Sequence, residues 1–281
     1  MSYLQRRHRV SERRACRVVG QYRSTQRYVI VPSDFEDRLV KAMHVHAQAH
    51  PRWGYPKIHR LLVDEGWPVN KKRIERLWRA EGLRVPPRRR NRPNGRGAGE
   101  SGNSAWARPA LRPGHIWSYD FVSLRTVDGR PLRLLNVVDE YTRKGVGFDI
   151  ARSIGARRVK TTLERLFTEH GRPELIRSDN GKEFTSTELI SWLAEQGVTA
   201  VQVAKASPQQ NCFVERFNGI MRDELLDGEL FHSVLEGKVV VGRYYDEYNS
   251  ERPHRGLGMM TPAAFDRAER ARLASGDGGS E

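Results

Sequence analysis

Between Ile116 and Ala151 three apolar segments of strand length, residues 116–124, 132–139 and 145–151, follow one another with only turn-length connections. The period then changes: a helical run over 155–170, a strand at 174–178, a helix over 185–196, a strand at 199–205, a helix from 210 to about 226, and another helical run over 233–249. Strands joined by short turns pair antiparallel, whereas strands separated by helices return in parallel. This part of the chain is therefore restricted to an α/β fold with a mixed sheet.

The charge is not spread evenly. Of 281 residues, 49 are Lys or Arg and 34 Asp or Glu, a net charge of +15. Residues 1–115 hold 26 of the bases and only 9 of the acids, whereas the remainder is slightly acidic. A genome-wide taste for arginine, which outnumbers lysine 40 to 9, does not stop at one residue. Neutralisation of a polyanion accounts for the step better, because each basic contact to phosphate releases counterions. Double-stranded DNA is the expected partner.

The basic part reads as helices. Residues 11–28 form a short helix, a turn at Gly20 and a second helix capped by Ser24, which fits a minimal helix-turn-helix and an ordinary helical hairpin equally well. A longer helix covers 33–48. A second pair follows at 56–65 and 71–81, separated by a turn over 66–70 and ended by Gly82. On its second helix Ile74, Leu77 and Trp78 share one face, and Lys71, Lys72, Arg73, Arg76 and Arg79 are left for solvent or a DNA groove. His44, His46, His50 and His59 raise the question of zinc, but with Cys16 the sole cysteine nearby, surface or DNA-facing histidines are expected. Residues 85–114 lose hydrophobic periodicity to Pro, Arg, Gly, Asn and Ser. They read as a linker whose Arg88, Arg89 and Arg90 are placed to track a phosphate backbone. Two distant cysteines exclude a disulfide framework, and the sequence has no membrane-length apolar run and no apolar signal segment, so a cytoplasmic protein is expected.

Three acids stand out by context. Asp120 lies mid-strand in Trp117-Ser118-Tyr119-Asp120-Phe121-Val122, where a carboxylate is disfavoured and needs a cation, a hydrogen-bond network or an exposed edge. Asp179 ends the strand before Asn180-Gly181, at the end of an open α/β sheet where sites gather, though Asp-Asn-Gly is also plain turn chemistry. Glu215 shares a helical face with Asn211, Asn218 and Arg222, opposite Phe213, Phe217, Ile220 and Met221.

The set, with 35 residues between Asp179 and Glu215, resembles the Asp, Asp, Glu transposases and integrases of the RNase H-like superfamily, especially insertion-sequence transposases encoded in a second reading frame. The resemblance spans nearly the whole chain. Arg52-Trp53-Gly54-Tyr55-Pro56-Lys57-Ile58-His59 with Asn70-Lys71-Lys72-Arg73 resembles the family's internal helix-turn-helix. Pro208-Gln209-Gln210-Asn211 through Val214-Glu215-Arg216-Phe217-Asn218-Gly219 to Arg222 resembles its catalytic helix, as Tyr248-Asn249-Ser250-Glu251-Arg252-Pro253-His254 resembles a later motif. The chain departs from the family in lacking a Thr after the first acid and in having Gln209-Gln210-Asn211-Cys212 before the Glu.

The resemblance implies an RNase H-like catalytic core over 115–228, a helix-turn-helix DNA-binding region over 1–84, a basic linker over 85–114 and a helical extension over 229–281. It implies that Asp120, Asp179 and Glu215 hold two Mg2+ or Mn2+ ions, as hard oxygen ligands suit, for cleavage and strand transfer. Arg222 and Asn211 would contact DNA or position the helix; Arg252 and His254 receive no chemical step. Terminal inverted repeats and target DNA are the implied substrates, with at least a dimer on DNA and an upstream-frame product as partners. A non-catalytic DNA-binding regulator and a structure-specific nuclease are the competing readings.

Overall fold

The computed structural model of the chain describes residues 2–28, 34–87, 109–179, 181, 186–202 and 211–275. Two compact units divide at Val45/His46. The first holds α1 (Ser2–His8), α2 (Glu12–Val19), α3 (Arg23–Arg27) and most of α4 (Asp34–Ala49). Ser11 caps α2 by accepting from the Arg14 N–H, and Gly20 ends it in the left-handed conformation at φ 67°. The following helix starts two residues earlier than the sequence indicates: Tyr22, not Ser24, is its N-cap, with no side-chain cap bond.

The second unit contains the helix-turn-helix pair and the sheet. In α5 (Tyr55–Asp64), Pro56 sits in the first turn, where a missing N–H costs nothing. Asn70 caps α6 (Lys71–Ala80) by accepting from the Arg73 N–H at 2.8 Å. Ile74, Leu77 and Trp78 are buried along with Ile58 and Leu62 of α5, as their spacing requires. Lys71, Lys72, Arg76 and Arg79 are exposed, with Arg79 paired to Glu75 one turn back.

The sheet has the order β3-β2-β1-β4-β5, with β1 (Ile116–Arg125), β2 (Pro131–Asp139) and β3 (Gly145–Ala151) antiparallel, and β4 (Leu175–Ser178) and β5 (Thr199–Gln202) parallel to β1. This is the RNase H-like mixed sheet implied by the sequence. On one face α7 (Ala156–His170) and α8 (Thr187–Glu195) close a core containing Trp117, Tyr119, Leu163, Leu166 and Trp192. On the other, α9 (Cys212–Met221) and α10 (Val234–Ser250) pack Val214, Phe217, Met221, Tyr245 and Tyr248 against Val122, Leu134 and Val138. A π-helical turn, Arg222–Leu226, continues α9, and α11 (Pro262–Ala274) closes the described chain. None of the helices is long and apolar enough to cross a membrane, among the described residues.

Packing on the α7 side is tight at Gly147, where an added Cβ would overlap Leu166 Cδ2. Leu166 is fully buried, so its side chain must shift against other core groups. Gly147→Ala is expected to lower stability by about 1–3 kcal/mol, the usual cost of overpacking, as read from the denaturant midpoint.

Candidate active site

Strand register brings the first two acids together. β1 and β4 pair in parallel with Ile116 opposite Leu175 and Ser118 opposite Arg177. Asp179 stands one residue beyond the end of β4, and that register carried on by two residues would bring it level with Asp120. The Asp179 Oδ1 also accepts from the Gly181 N–H, so the Asx turn anticipated as plain turn chemistry exists alongside this placement.

The covering helix supplies the third acid. Asn218, one turn after Glu215 on α9, donates from Nδ2 to Asp120 Oδ2 at 2.9 Å. The other Asp120 oxygen accepts from the Phe121 N–H at 2.7 Å. Burial, and then the neighbouring Asp179, raise the Asp120 carboxyl above the ordinary carboxylate range, against the pull of these hydrogen bonds and of Arg222. Glu215 is raised as well, by burial and then by the charges of Asp120 and Asp179. The three acids thus lie within electrostatic reach of one another, with Asp120 half-buried and Asp179 and Glu215 exposed. Among the described residues no three acidic, His or Cys side chains are already gathered closely enough to enclose an ion.

Arg222 is exposed and near enough to lower Asp120, on the face expected for it. Asn211 is buried, with its Oδ1 lacking a partner among the described residues. Lys71, Lys72, Arg73, Arg76 and Arg79 lie together on α6, and Arg88, Arg89 and Arg90 fall outside the described residues.

Several residues that hold the site were not singled out in the sequence. Asn136, opposite Asp120 on β2, is fully buried; its Nδ2 donates to Asn218 Oδ1 at 2.7 Å, and its Oδ1 lies 2.9 Å from the Tyr245 hydroxyl. A polar residue in the middle of Leu134-Leu135-Asn136-Val137-Val138 is the same kind of anomaly that marks Asp120, and was a usable signal. Below Asp179, Arg177 and Glu140 form a buried ion pair at 3.0 Å, with Ser118 donating to the same carboxylate, which fixes the end of β4.

The motif residues Arg52, Lys57, Arg252 and His254 turn inward. Arg252 makes two hydrogen bonds of 2.7 Å to Glu224 on the π turn, and Lys57 adds a third at 3.1 Å. Arg52 binds the neighbouring Asp223. His254 accepts from Arg252, and its pKa is pushed down to about 3 by burial and the adjacent cations. Three of the histidines weighed for zinc are engaged within the protein: His59 faces the Val69 carbonyl, His46 faces Glu65, and His50 stacks on Trp53 and faces Glu247.

A mixed sheet with one acid on β1 and a second just past the end of the parallel strand β4, a third acid on the covering helix and a helix-turn-helix pair before it, has the make-up of an integrase-type core. Family comparison agrees. Integrase core domains match residues 110–208 and 196–262, and an HTH-like domain matches 34–91. An insertion element IS407 uncharacterized 31.7 kDa protein from Burkholderia multivorans is 36% identical over 96% of both chains. An insertion element IS476 uncharacterized 39.2 kDa protein from Xanthomonas euvesicatoria is 35% identical over 91% of this chain and 72% of that one. The transposase InsF for insertion sequence IS3A of Escherichia coli is 27% identical over 76% and 77% of the two chains. The chain belongs to the insertion-sequence transposases of the second-reading-frame type, within the Asp, Asp, Glu superfamily.

Proposed function

We propose that the chain cleaves the ends of its element and joins them to target DNA, with Asp120, Asp179 and Glu215 as the reacting trio. The observation that supports this reading is the Asn218–Asp120 bond, which seats α9, the helix of Glu215, over the strand of Asp120 beside the end of β4 in a transposase-family chain. The trio's donor set suits a hard divalent cation: oxygen ligands only, with Asp120 raised by burial and then by Asp179, and Glu215 by burial and then by Asp120 and Asp179, a strain that a bound cation relieves. Mg2+ or Mn2+ held there, as a pair of ions, supplies charge stabilisation to a phosphodiester under attack.

The chain's own groups do the rest. Asn218 and the Phe121 N–H fix the plane of the Asp120 carboxylate, while Asp179 and Glu215 keep exposed oxygens for adjustment. Arg222 adds positive potential for a phosphate beside them. Water first displaces a 3′ oxygen from phosphorus and leaves a free 3′ hydroxyl. That hydroxyl then attacks a target phosphate, forming a new phosphodiester and releasing the target's own 3′ oxygen as a hydroxyl. The exposed bases of α6 bind the DNA, in the manner of a recognition helix. Two ends must be brought together, so the working form is at least a dimer on DNA, with the upstream-frame product as a further partner.

Purified protein, Mg2+, a labelled duplex bearing the element end and a supercoiled plasmid test this directly. Joined product is expected. Nicks without joining would make the chain a nuclease, and binding without either would make it a regulator.

A further inference from the structure

The Asp120 carboxylate stands at one end of a series of hydrogen bonds that finishes on α10, beyond the 115–228 span expected for the catalytic core. Asn218 Nδ2 donates to Asp120 Oδ2 at 2.9 Å, Asn136 Nδ2 to Asn218 Oδ1 at 2.7 Å, and the Tyr245 hydroxyl to Asn136 Oδ1 at 2.9 Å. The hydroxyl divides its one proton between this oxygen and the Gly147 carbonyl, also at 2.9 Å. Asn136, Asn218 and Tyr245 are buried, so their polar atoms rely on one another. The tyrosine ring has a fixed seat. An added Cβ at Gly145 would overlap its Cε1, and the rings of Phe148 and of Phe217 on α9 stand 4.9 and 5.3 Å from it.

The direction of the series follows from its charged end. An ionised carboxylate only accepts, so Asn218 turns its Nδ2 toward Asp120 and its oxygen toward Asn136. Asn136 meets that oxygen with its own Nδ2, whose other neighbour is a weak acceptor, Met221 Sδ, at 3.8 Å. The Asn136 oxygen is left facing α10 and in need of a donor, which the Tyr245 hydroxyl provides. Without that hydroxyl, the arrangement that serves an ionised Asp120 buries an unpaired oxygen, and the two amides gain by turning over. We propose that Tyr245 is a positioning residue for the reaction: through Asn136 and Asn218 it holds the Asp120 carboxylate turned to receive a divalent cation. The proposal rests on the reading of Asp120 as an ion ligand. Groups set behind a ligand in this way typically change metal affinity by about 10–100-fold when they are removed.

The test is Mn2+ binding by the full chain without DNA, followed by the electron paramagnetic resonance of the free ion, so that no chemistry is needed. Tyr245→Phe keeps the ring in its seat and removes only the hydroxyl; it is expected to weaken Mn2+ binding about tenfold. Tyr248→Phe removes a hydroxyl from the same helix that takes no part in the series, and should leave the affinity within about twofold of wild type. Asn218→Ala should weaken binding at least as much as Tyr245→Phe, and combining the two should add little, because a residue acting through Asn218 then has nothing to act on. With DNA present, joining by Tyr245→Phe should recover as Mg2+ is raised. Wild-type affinity in Tyr245→Phe, an equal loss in Tyr248→Phe, or losses that multiply in the double variant overturn the proposal. Wild type and Asp120→Asn binding Mn2+ alike would instead overturn the reading of Asp120 as a ligand, whereas binding lost in Asp120→Asn and kept in Tyr245→Phe counts against Tyr245 alone.

Discussion

Asp120→Asn is expected to reduce strand joining by about a thousandfold or more while DNA binding and the fold persist. Asparagine fills the same space and keeps an oxygen for the Asn218 Nδ2 that now bonds to Asp120, giving up only the bond from the Phe121 N–H, so the positioning chain through Asn136 survives. What is lost is the negative charge, and with it the means of holding a cation where charge builds on phosphorus. The same substitution should stabilise the protein when no divalent ion is present. Asp120's carboxyl is raised in the fold, so ionising it works against folding, and wild-type stability falls as pH rises through that group's range. Melting in EDTA should therefore favour the variant, increasingly so above the ordinary carboxylate pKa. Added Mg2+ should raise the wild-type midpoint and leave the variant's unmoved. Joining within tenfold of wild type would remove Asp120 from the chemistry.

The parts of this architecture that were legible in the sequence are those written locally. Ile74, Leu77 and Trp78 repeat at helical spacing and do bury together, and the strands from Ile116 to Ala151 follow from apolar runs broken by turns. Asp120 was conspicuous because a mid-strand carboxylate demands compensation, and Asn136 carried the same signal across the ladder. The rest is written non-locally. Arg52 and Lys57 belong to the basic part of the chain, yet their partners Asp223 and Glu224 lie more than 160 residues away. Those acids point inward because α9 does not continue unchanged to Leu226: the π turn over Arg222–Leu226 shifts the face on which they stand, and helical periodicity cannot foresee that shift. The recognisable Arg252–His254 motif receives a role only once Glu224 is placed beside it.

That placement makes Glu224 a residue whose loss should cost much stability. Its carboxylate is nearly enclosed, bound at both oxygens by Arg252 and at one by Lys57. Burial works to raise its pKa, but the hydrogen bonds and charge of Arg252, followed by those of Lys57, outweigh this and hold it below the ordinary range. Glu224→Ala leaves the equally enclosed Arg252 guanidinium without a counter-charge, and is expected to destabilise the His46–Glu281 unit by about 3–5 kcal/mol. Because a depressed carboxyl stabilises the fold only while ionised, the contribution should be fully present at neutral pH and fade as the pH falls through the folded value, so that wild type and variant converge in acid. Two compact units need not unfold together, and the denaturant titration should therefore be followed by a probe within this unit. The ion pairs join α5, and so the helix pair bearing the exposed bases of α6, to the helix that carries Glu215. An Arg252 that served DNA directly would give the opposite pattern: Glu224→Ala would cost less than about 1 kcal/mol, and Arg252→Ala would weaken DNA binding while the denaturant midpoint stayed in place.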